Sequence, residues 1–330
     1  MCSSWLCVFT KKLDKKMIDN APLVYNASRN TIYSTLVLLW QMSFTAFCLY
    51  LSLSDNAFVW LVGQILLGIA LLQWFLIEHD IGHHGFMPSK SVSFVFGHLA
   101  SLFCLLPYHP WQKIHHAHHK WTGWREKDPT IPDMTFDDLT PRQIKIINFC
   151  WKYWIPIFAI SFALQTFWNL RRLKRLFPDK RSQVQNTFSV LFIPMVLIVL
   201  AVSFGALFFK CWAFAAFVFL FISDPILLSQ HTHLDYHEIE KTPLKPVRFV
   251  EQPLFCRSII FPKWVEKYVL YNTSKHGLHH QYPWVAFYDL PKWKDPEDNY
   301  INWREWLRIA KNMPGHEMIF HSTRHTGIKL

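Results

Sequence analysis

The sequence lacks any CxxC pair, and its seven cysteines are scattered along the chain, several of them within apolar runs. Cysteine in such runs behaves as a small hydrophobic residue, so neither a disulfide framework nor a cysteine-held iron–sulfur site is predicted. A His-Pro-Gly-Gly haem segment, a flavin fingerprint and nucleic-acid-binding motifs are missing as well. These absences exclude several redox classes, and we expect no nucleic-acid partner.

The start of the chain also lacks the pattern of a secretory signal. Only a short apolar stretch precedes a group of four lysines within residues 11–16. This order is the reverse of a signal peptide, so we expect a cytoplasmic N-terminus. Because no repeat, low-complexity tract or linker divides the chain, we expect one membrane domain over residues 1–330, with a C-terminal cytoplasmic tail over about residues 292–330.

What the chain does contain is apolar and aromatic. Hydrophobic residues make up 51% of it and aromatic residues 17%, including 29 Phe and 16 Trp, which are favoured where a chain meets the lipid–water interface. The formal net charge is +11, and the basic residues lie beside apolar runs. Anionic lipid headgroups and the positive-inside rule both explain this placement, and the sequence leaves the two open.

Four apolar runs are long enough to cross the hydrocarbon core, which takes roughly 20 residues. They cover about residues 32–52, 58–77, 188–209 and 212–228. A short turn at residues 54–56 joins the first two, and Lys210 and Cys211 join the last two. The sequence therefore predicts an all-α, multi-pass integral membrane protein with four transmembrane helices arranged as two hairpins.

Two further apolar stretches, residues 91–108 and 149–168, are interpreted as interfacial helices. Lys152 and Pro156 interrupt the second stretch, and the strongly basic segment that follows, residues 171–181, is expected on the cytoplasmic side. With this orientation both termini and every histidine-rich segment lie in the cytoplasm. The segments between the helices, together with the tail, would form a helical cytoplasmic cap.

Thirteen of the 18 histidines fall in four short windows. The windows are residues 79–84, 115–119, 231–237 and 276–280. Residues three or four apart lie on one face of a helix, so that His79 and His83 can point at one spot. Imidazole binds iron, zinc, copper and nickel, so the spacing predicts a metal site without selecting the metal. The histidines outside the windows are interpreted as structural: His98, His109, His316, His321 and His325.

The windows resemble the three histidine boxes of the membrane fatty acid desaturase family, HxxxH, HxxHH and HxxHH. They read HDIGH from residue 79, HHAHH from residue 115 and HGLHH from residue 276. The similarity is closest to the acyl-lipid desaturases and extends to Pro107-Tyr108, Trp111, Thr122-Gly123 and the QHTH segment at residues 230–233. It covers roughly residues 30–290, whereas Gln281-Tyr282-Pro283 depart from the plant enzymes.

The resemblance implies a centre of two non-haem iron ions held by about nine histidines, with no catalytic side chain beyond the metal ligands. Carried onto this chain, the ligands are His79, His83, His115, His118, His119, His233, His276, His279 and His280. His231 is the alternative to His233. The candidates for additional ligands, or for residues that hydrogen-bond to the ligands, are His84, His116, Glu78, Asp80, Asp128 and Asp224. For Asp224 the alternative is a position that only marks the end of a helix.

The resemblance further implies O2-dependent desaturation of a long-chain fatty acyl substrate carried on a lipid. An apolar channel lined by Phe, Trp and Leu would lead the acyl chain from the bilayer to the iron. Electrons must come from an external donor such as ferredoxin or cytochrome b5. Two alternatives remain open: a hydroxylase or ketolase on the same scaffold, and, from another class, a metal-binding membrane transporter.

Overall fold

The computed structural model describes residues 27–83, 85–87, 89–132, 134–239, 243–295 and 299–330, most of which are helical. The α-helices are α1 (Ala27–Ser52), α2 (Ala57–Gly82), α3 (Lys90–Cys104), α4 (Tyr108–Trp121), α5 (Pro141–Lys152), α6 (Ile157–Thr166), α7 (Leu170–Leu176), α8 (Lys180–Phe204), α9 (Ala206–His231), α10 (His276–Gln281), α11 (Trp303–Asn312), α12 (Gly315–Phe320) and α13 (Thr323–Thr326). Shorter 3-10 turns lie at Phe136–Asp138, Phe249–Phe255 and Leu290–Lys292, with a π-helical turn at Val265–Val269.

Helices α1, α2, α8 and α9 are the four, among the described residues, that are individually long and apolar enough to cross a membrane. The expectation of a helical integral membrane protein is thereby confirmed. Helix α2 lies at the centre, because 67% of its apolar stretch is buried inside the protein, against 28% for α1 and 17% for α8 and for α9. The remaining apolar surface of the outer helices is left for lipid.

The first hairpin turns where the sequence predicts it. Asn56 caps α2, its side chain accepting hydrogen bonds from the amides of Phe58 and Val59. Farther along, the Gln41 side chain of α1 donates to the carbonyl of Ala70 in α2 at 2.9 Å. Polar groups inside an apolar bundle therefore pair with each other and hold the two helices in register.

The second pair of helices turns at a different place from the predicted one. Lys210 and Cys211 lie inside α9, and the break falls at Gly205, whose φ of 54° and ψ of −129° end α8. No described atom lies within 4 Å of a Cβ placed on Gly205, so backbone conformation and not crowding selects glycine here. The predicted bounds 188–209 and 212–228 were wrong at this junction, because a continuous apolar run does not reveal where one glycine breaks it.

Helices α3 and α4 meet at a bend of 96°. Leu105 ends α3 in the left-handed conformation, with a φ of 59°, and Pro107 precedes α4. After the bend, α4 lies across the end of α2, where the Gln112 side chain donates to the carbonyl of Gly82 at 3.2 Å. The bend therefore places the second histidine window, on α4, beside the first window at the end of α2.

The apolar stretch at residues 149–168 is interrupted as predicted. Helix α5 ends at Lys152, and α6 begins after Pro156. Asp224, inside α9, accepts a hydrogen bond from the amide of Ala159 at the start of α6, at 2.5 Å. Asp224 thus stabilises the N-terminus of a neighbouring helix. Both sequence interpretations of this residue were wrong, because α9 continues past it and its partner is not a histidine.

Two short parallel strands lie outside the all-α expectation. They are β1 (Ser258–Ile260) and β2 (Tyr300–Asn302), with Ile259 opposite Ile301. Strand β1 also holds the segment of the last histidine window, since the amide of Ile259 donates to Ser274 at 3.0 Å and the Ser258 hydroxyl accepts from the amide of Gly277 at 2.9 Å. Three-residue strands carry too little alternation to be recognised in a sequence.

Candidate metal centre

Nine histidines converge from the end of α2, from α4, from the end of α9 and from α10. These nine form the histidine cluster: His79, His83, His115, His118, His119, His231, His276, His279 and His280. Seven are buried, and His83 and His231 are half-buried. Within α2, α4 and α10, the cluster histidines that are three or four residues apart lie on one face of their helix, as the spacing predicts.

The first group within the cluster consists of His79, His83, His115 and His279. Each offers a ring nitrogen that lies within 4.8 Å of those of the other three. His119 adjoins this group, because its Nε2 lies 3.2 Å from Nε2 of His115 and 3.1 Å from Nε2 of His279. Three of the four converging elements contribute to this group.

The second group consists of His118, His231 and His280, again with ring nitrogens within 4.8 Å of one another. Nε2 of His276 adjoins it, 2.7 Å from Nε2 of His231 and 3.2 Å from Nε2 of His280. The two groups are neighbours, since the ring centroids of His119 and His280 are 4.4 Å apart.

The facing nitrogens fit metal ions better than they fit hydrogen bonds. A neutral imidazole has one N–H donor and one acceptor nitrogen. Nε2 of His119, however, faces two other Nε2 atoms at once, and Nε2 of His280 faces those of His118 and His276. One shared cation in each group would satisfy all of these nitrogens together. An all-imidazole donor set suits iron, zinc or copper.

Two of the predicted carboxylates contact the cluster. Oδ2 of Asp128 lies 2.6 Å from Nδ1 of His118, which leaves Nε2 of that ring pointing into the second group. Oδ1 of Asp80 lies 3.3 Å from Nδ1 of His79, while its other oxygen accepts from the amide of Phe287 at 2.6 Å. Such partners orient a ligating imidazole and raise its basicity.

Gln252 and Trp111 also contact the cluster, and neither role follows from the sequence. The Gln252 side chain donates to the carbonyl of His119 at 2.7 Å, and its Oε1 lies 3.1 Å from Nδ1 of His280. One amide thus connects the second and last windows. The Trp111 ring stacks on His115 with centroids 4.6 Å apart. No spacing rule singles out Gln252, whose contacts arise only in the folded chain.

His233 does not join the cluster, and His231, the alternative left open by the sequence, lies there instead. Helix α9 ends at His231, after which the chain turns and His233 takes a φ of 59°. The His233 ring is directed at the C-terminal segment, with Nε2 2.8 Å from Oγ1 of Thr326 and Nδ1 3.3 Å from the carbonyl of Glu317. His233 lies two residues after His231 and beyond the end of α9, so the two rings point in different directions.

The remaining candidates from the sequence are His84, His116 and Glu78. His84 lies outside the described residues. His116 is exposed, and its ring centroid is 5.8 Å from that of His83. Glu78 is buried and accepts hydrogen bonds from Ser101 at 2.9 Å and from the Cys104 thiol at 2.6 Å. Its carboxylate is thus directed at α3.

The buried setting disfavours the charged form of the histidines of α10. Burial lowers the pKa of His276, His279 and His280 well below the ordinary value, and neighbouring imidazoles lower these pKa values further. For Asp128, burial opposes ionisation, but the adjacent His118 holds the pKa of the carboxyl below its usual range. Neutral imidazoles in α10 and an ionised Asp128 are in the protonation states that metal binding needs.

A surface groove of about 400 Å³ lies along α7 and α8, lined by Lys174, Lys180, Gln183, Val184 and Thr187. None of its lining residues belongs to the histidine cluster. The acyl-chain channel that the sequence predicts beside the cluster stays a prediction.

Comparison with known proteins places the whole arrangement in one family. The family model described as "Fatty acid desaturase" matches residues 55–307, which contain all nine histidines of the cluster. The match also includes α2 to α10 and both strands. It therefore covers most of the chain and not merely its motifs.

Three curated relatives illustrate the similarity. An sn-1 oleoyl-lipid 12-desaturase of Picosynechococcus sp. is 27% identical over 263 residues, covering 74% of this chain and 70% of that protein. An endoplasmic-reticulum acyl-lipid omega-3 desaturase (cytochrome b5) of Arabidopsis thaliana is 24% identical over 261 residues, 72% of this chain and 63% of that protein. A Delta(12) fatty acid desaturase of Caenorhabditis elegans is 36% identical over 107 residues, 31% of this chain and 27% of that protein.

Proposed function

The chain belongs to the fatty acid desaturase family of oxidoreductases, and on that premise we propose that it introduces a double bond into a long-chain fatty acyl group of a membrane lipid, using O2. The observation that carries this proposal is the pair of adjoining histidine groups at the ends of α2 and α9. A transporter would place its ligands within the membrane helices near the midplane, in repeated halves. Here the ligands lie at the ends of two spanning helices and on the shorter helices α4 and α10.

We propose two iron ions as the cofactor, one in each histidine group. The first would be held by His79, His83, His115, His119 and His279, and the second by His118, His231, His276 and His280. This set keeps the number nine implied by the family resemblance and replaces His233 with His231. Bound iron would supply the reduction of O2 and the removal of hydrogen from an unactivated methylene, which side chains cannot supply.

The protein's own contribution is to hold the ligating histidines and to orient their rings. Asp128 and Asp80 fix the ring nitrogens that His118 and His79 turn toward the metals. Gln252 fixes His280 in the same way. The closely packed Trp111 ring excludes water from one side of His115. No side chain outside the ligand set is assigned a proton-transfer step.

The proposed substrate and electron donor are inferred from the names of the relatives, and the proposed orientation is inferred from the charge of the chain. The acyl-lipid substrate is proposed because two of the relatives are named oleoyl-lipid or acyl-lipid desaturases. The electrons would come from cytochrome b5 or ferredoxin, and the former is named for the plant relative. We propose that both termini and the histidine cluster lie in the cytoplasm, since the strongly basic segment at residues 171–181 favours that side.

Expression in a host that lacks the corresponding unsaturated lipids tests the function. We expect a new double bond in the acyl lipids and about two irons per purified chain. His279→Ala should abolish the product and lose iron while the protein still inserts, whereas His321→Ala should retain both. A new hydroxyl or keto group without a double bond would replace desaturation by oxygenation, and zinc as the native metal would exclude both.

A further inference from the structure

We propose that the C-terminal segment Gly315–Leu330 positions the ligand His231, and that Arg257 and His233 are the residues through which it does so. The inference rests on the proposed metal centre and goes beyond it. It assigns a role to a segment that lies outside the family match, which ends at residue 307. It also gives His233 a task other than metal binding.

The first contact is made by Arg257, which is fully buried. Its Nη1 donates to the carbonyls of Ser229 at 2.8 Å and Thr232 at 3.3 Å, and its amide donates to the carbonyl of Gln230 at 2.8 Å. These are carbonyls at the end of α9, where a helix has no N–H groups left to satisfy them. The guanidinium charge also faces the negative end of the helix dipole.

The same guanidinium reaches the end of the tail. Nε of Arg257 donates to the carbonyl of Leu330 at 3.2 Å. A single buried side chain therefore connects the last turn of α9, which carries His231, with residue 330. Apolar contacts run alongside, because Leu228, one turn before His231, lies in the same core cluster as Met318.

The second contact is made by His233. Its Nε2 lies 2.8 Å from the Thr326 hydroxyl and 3.2 Å from the carbonyl of Ile328, and its Nδ1 lies 3.3 Å from the carbonyl of Glu317. The backbone of His233 takes part as well, since its carbonyl accepts from the Thr323 hydroxyl at 3.2 Å. The ring of His233 thus contacts Glu317 on one side and residues 326–328 on the other, and it acts as a clamp between two parts of the tail.

A third contact follows two residues later. Oδ1 of Asp235 accepts from the amide of Arg324 at 3.1 Å, and Oδ2 lies 3.6 Å from Nε of that arginine. After the turn that follows His231, residues 233 and 235 are thus bonded to the tail directly, whereas the carbonyls at the end of α9 are joined to it through Arg257. Because the orientation of a ligand sets metal affinity, loosening this turn should weaken the second histidine group and leave the first unchanged.

The test uses Co2+ titration of the purified, metal-free protein in detergent, read by visible absorption. The wild type should bind two Co2+ ions, and His231→Ala should lose the ion of the second group. We expect His233→Ala and Arg257→Met to lower the affinity for that same ion by about tenfold to a hundredfold and to shift its absorption. The affinity for the other ion should be unchanged. His321→Ala, a histidine of the same tail outside these contacts, is the matched control.

His233→Gln separates positioning from general damage. Its amide can donate to Glu317 and accept from Thr326, so it should restore most of the affinity that His233→Ala loses. Wild-type affinity at both sites in folded His233→Ala and Arg257→Met would overturn the inference. So would complete loss of one ion in His233→Ala and in His233→Gln with both ions kept in His231→Ala, which would make His233 the ligand. Failure of the wild type to bind two ions would instead overturn the metal centre itself.

Discussion

Nδ1 of His118 lies 2.6 Å from Oδ2 of Asp128, and both side chains are buried. The other carboxylate oxygen of Asp128 accepts from the amide of Thr130 at 2.9 Å and from its hydroxyl at 2.7 Å. The loop after α4 is therefore built around this carboxylate. The pair determines which nitrogen of His118 remains for a metal, since Nδ1 is engaged and Nε2 faces the second group.

Asp128→Asn should lower the affinity of the second group for metal by about tenfold to a hundredfold, because the amide cannot carry the negative charge that orients His118. The measurement is competition for Fe2+ between the purified protein and a chelator under anaerobic conditions. Asp137→Asn, an exposed aspartate nine residues later, is the control and should keep wild-type affinity. Equal affinity in both variants would contradict the role of Asp128.

Gln252→Leu should destabilise the protein by about 1–3 kcal/mol, because the His119 carbonyl and His280 Nδ1 both lose a buried hydrogen-bond partner. The free energy of unfolding in detergent gives the measurement. Gln165→Leu, at an exposed glutamine of α6, should change stability much less. A loss no larger than that of Gln165→Leu would show that the Gln252 amide does not connect the two windows.

Gly205→Ala should destabilise the protein by about 1–3 kcal/mol through backbone strain alone, because a φ of 54° with a ψ of −129° is unfavourable for any residue with a Cβ. Gly327→Ala provides the comparison. A Cβ placed on Gly327 also meets no described atom within 4 Å, but this residue lies in the more accessible left-handed region, with a φ of 71° and a ψ of 0°. Thermal unfolding should rank Gly205→Ala as the more damaging, and the reverse order would refute the argument.

Acid should destabilise the metal-free protein. The pKa values of His276, His279 and His280 are lowered by burial, whereas in the unfolded chain they return to about 6.5. Below that pH the unfolded state binds protons that the folded state excludes, so the free energy of unfolding falls as the pH falls through about 6.5. Thermal midpoints between pH 8 and pH 5.5 measure this, and His276→Gln combined with His280→Gln should flatten the slope. An unchanged slope would mean that these rings do not cause it.

The helices and the histidine windows could be predicted because each depends on local spacing. A run of apolar residues predicts a spanning helix, and histidines three or four apart predict a shared face. The turn at Gly205 could not be found in this way, since hydropathy averages over many residues and the break depends on one. The exchange of His231 for His233 has a similar origin, because the α9 end falls between them and helical periodicity no longer applies.

The contacts that hold the cluster in place could not be predicted from the sequence, for another reason. Gln252 and Arg257 act through carbonyl groups of distant segments, and any glutamine or arginine can do so. Their partners are defined only when α4, α9 and the tail have packed together. Asp128 and Asp80 were accessible to prediction because a carboxylate close in sequence to a histidine window is already a reason to expect contact.

The distribution of the histidine cluster along the chain has a consequence for biogenesis. Its first and last members, His79 and His280, are separated by more than half of the chain, and neither histidine group is complete until α10 is made. During synthesis, all four spanning helices leave the ribosome before that point. Loading of the proposed metal centre would therefore follow insertion of these helices, so the metal-free, inserted protein is a necessary intermediate in its biogenesis.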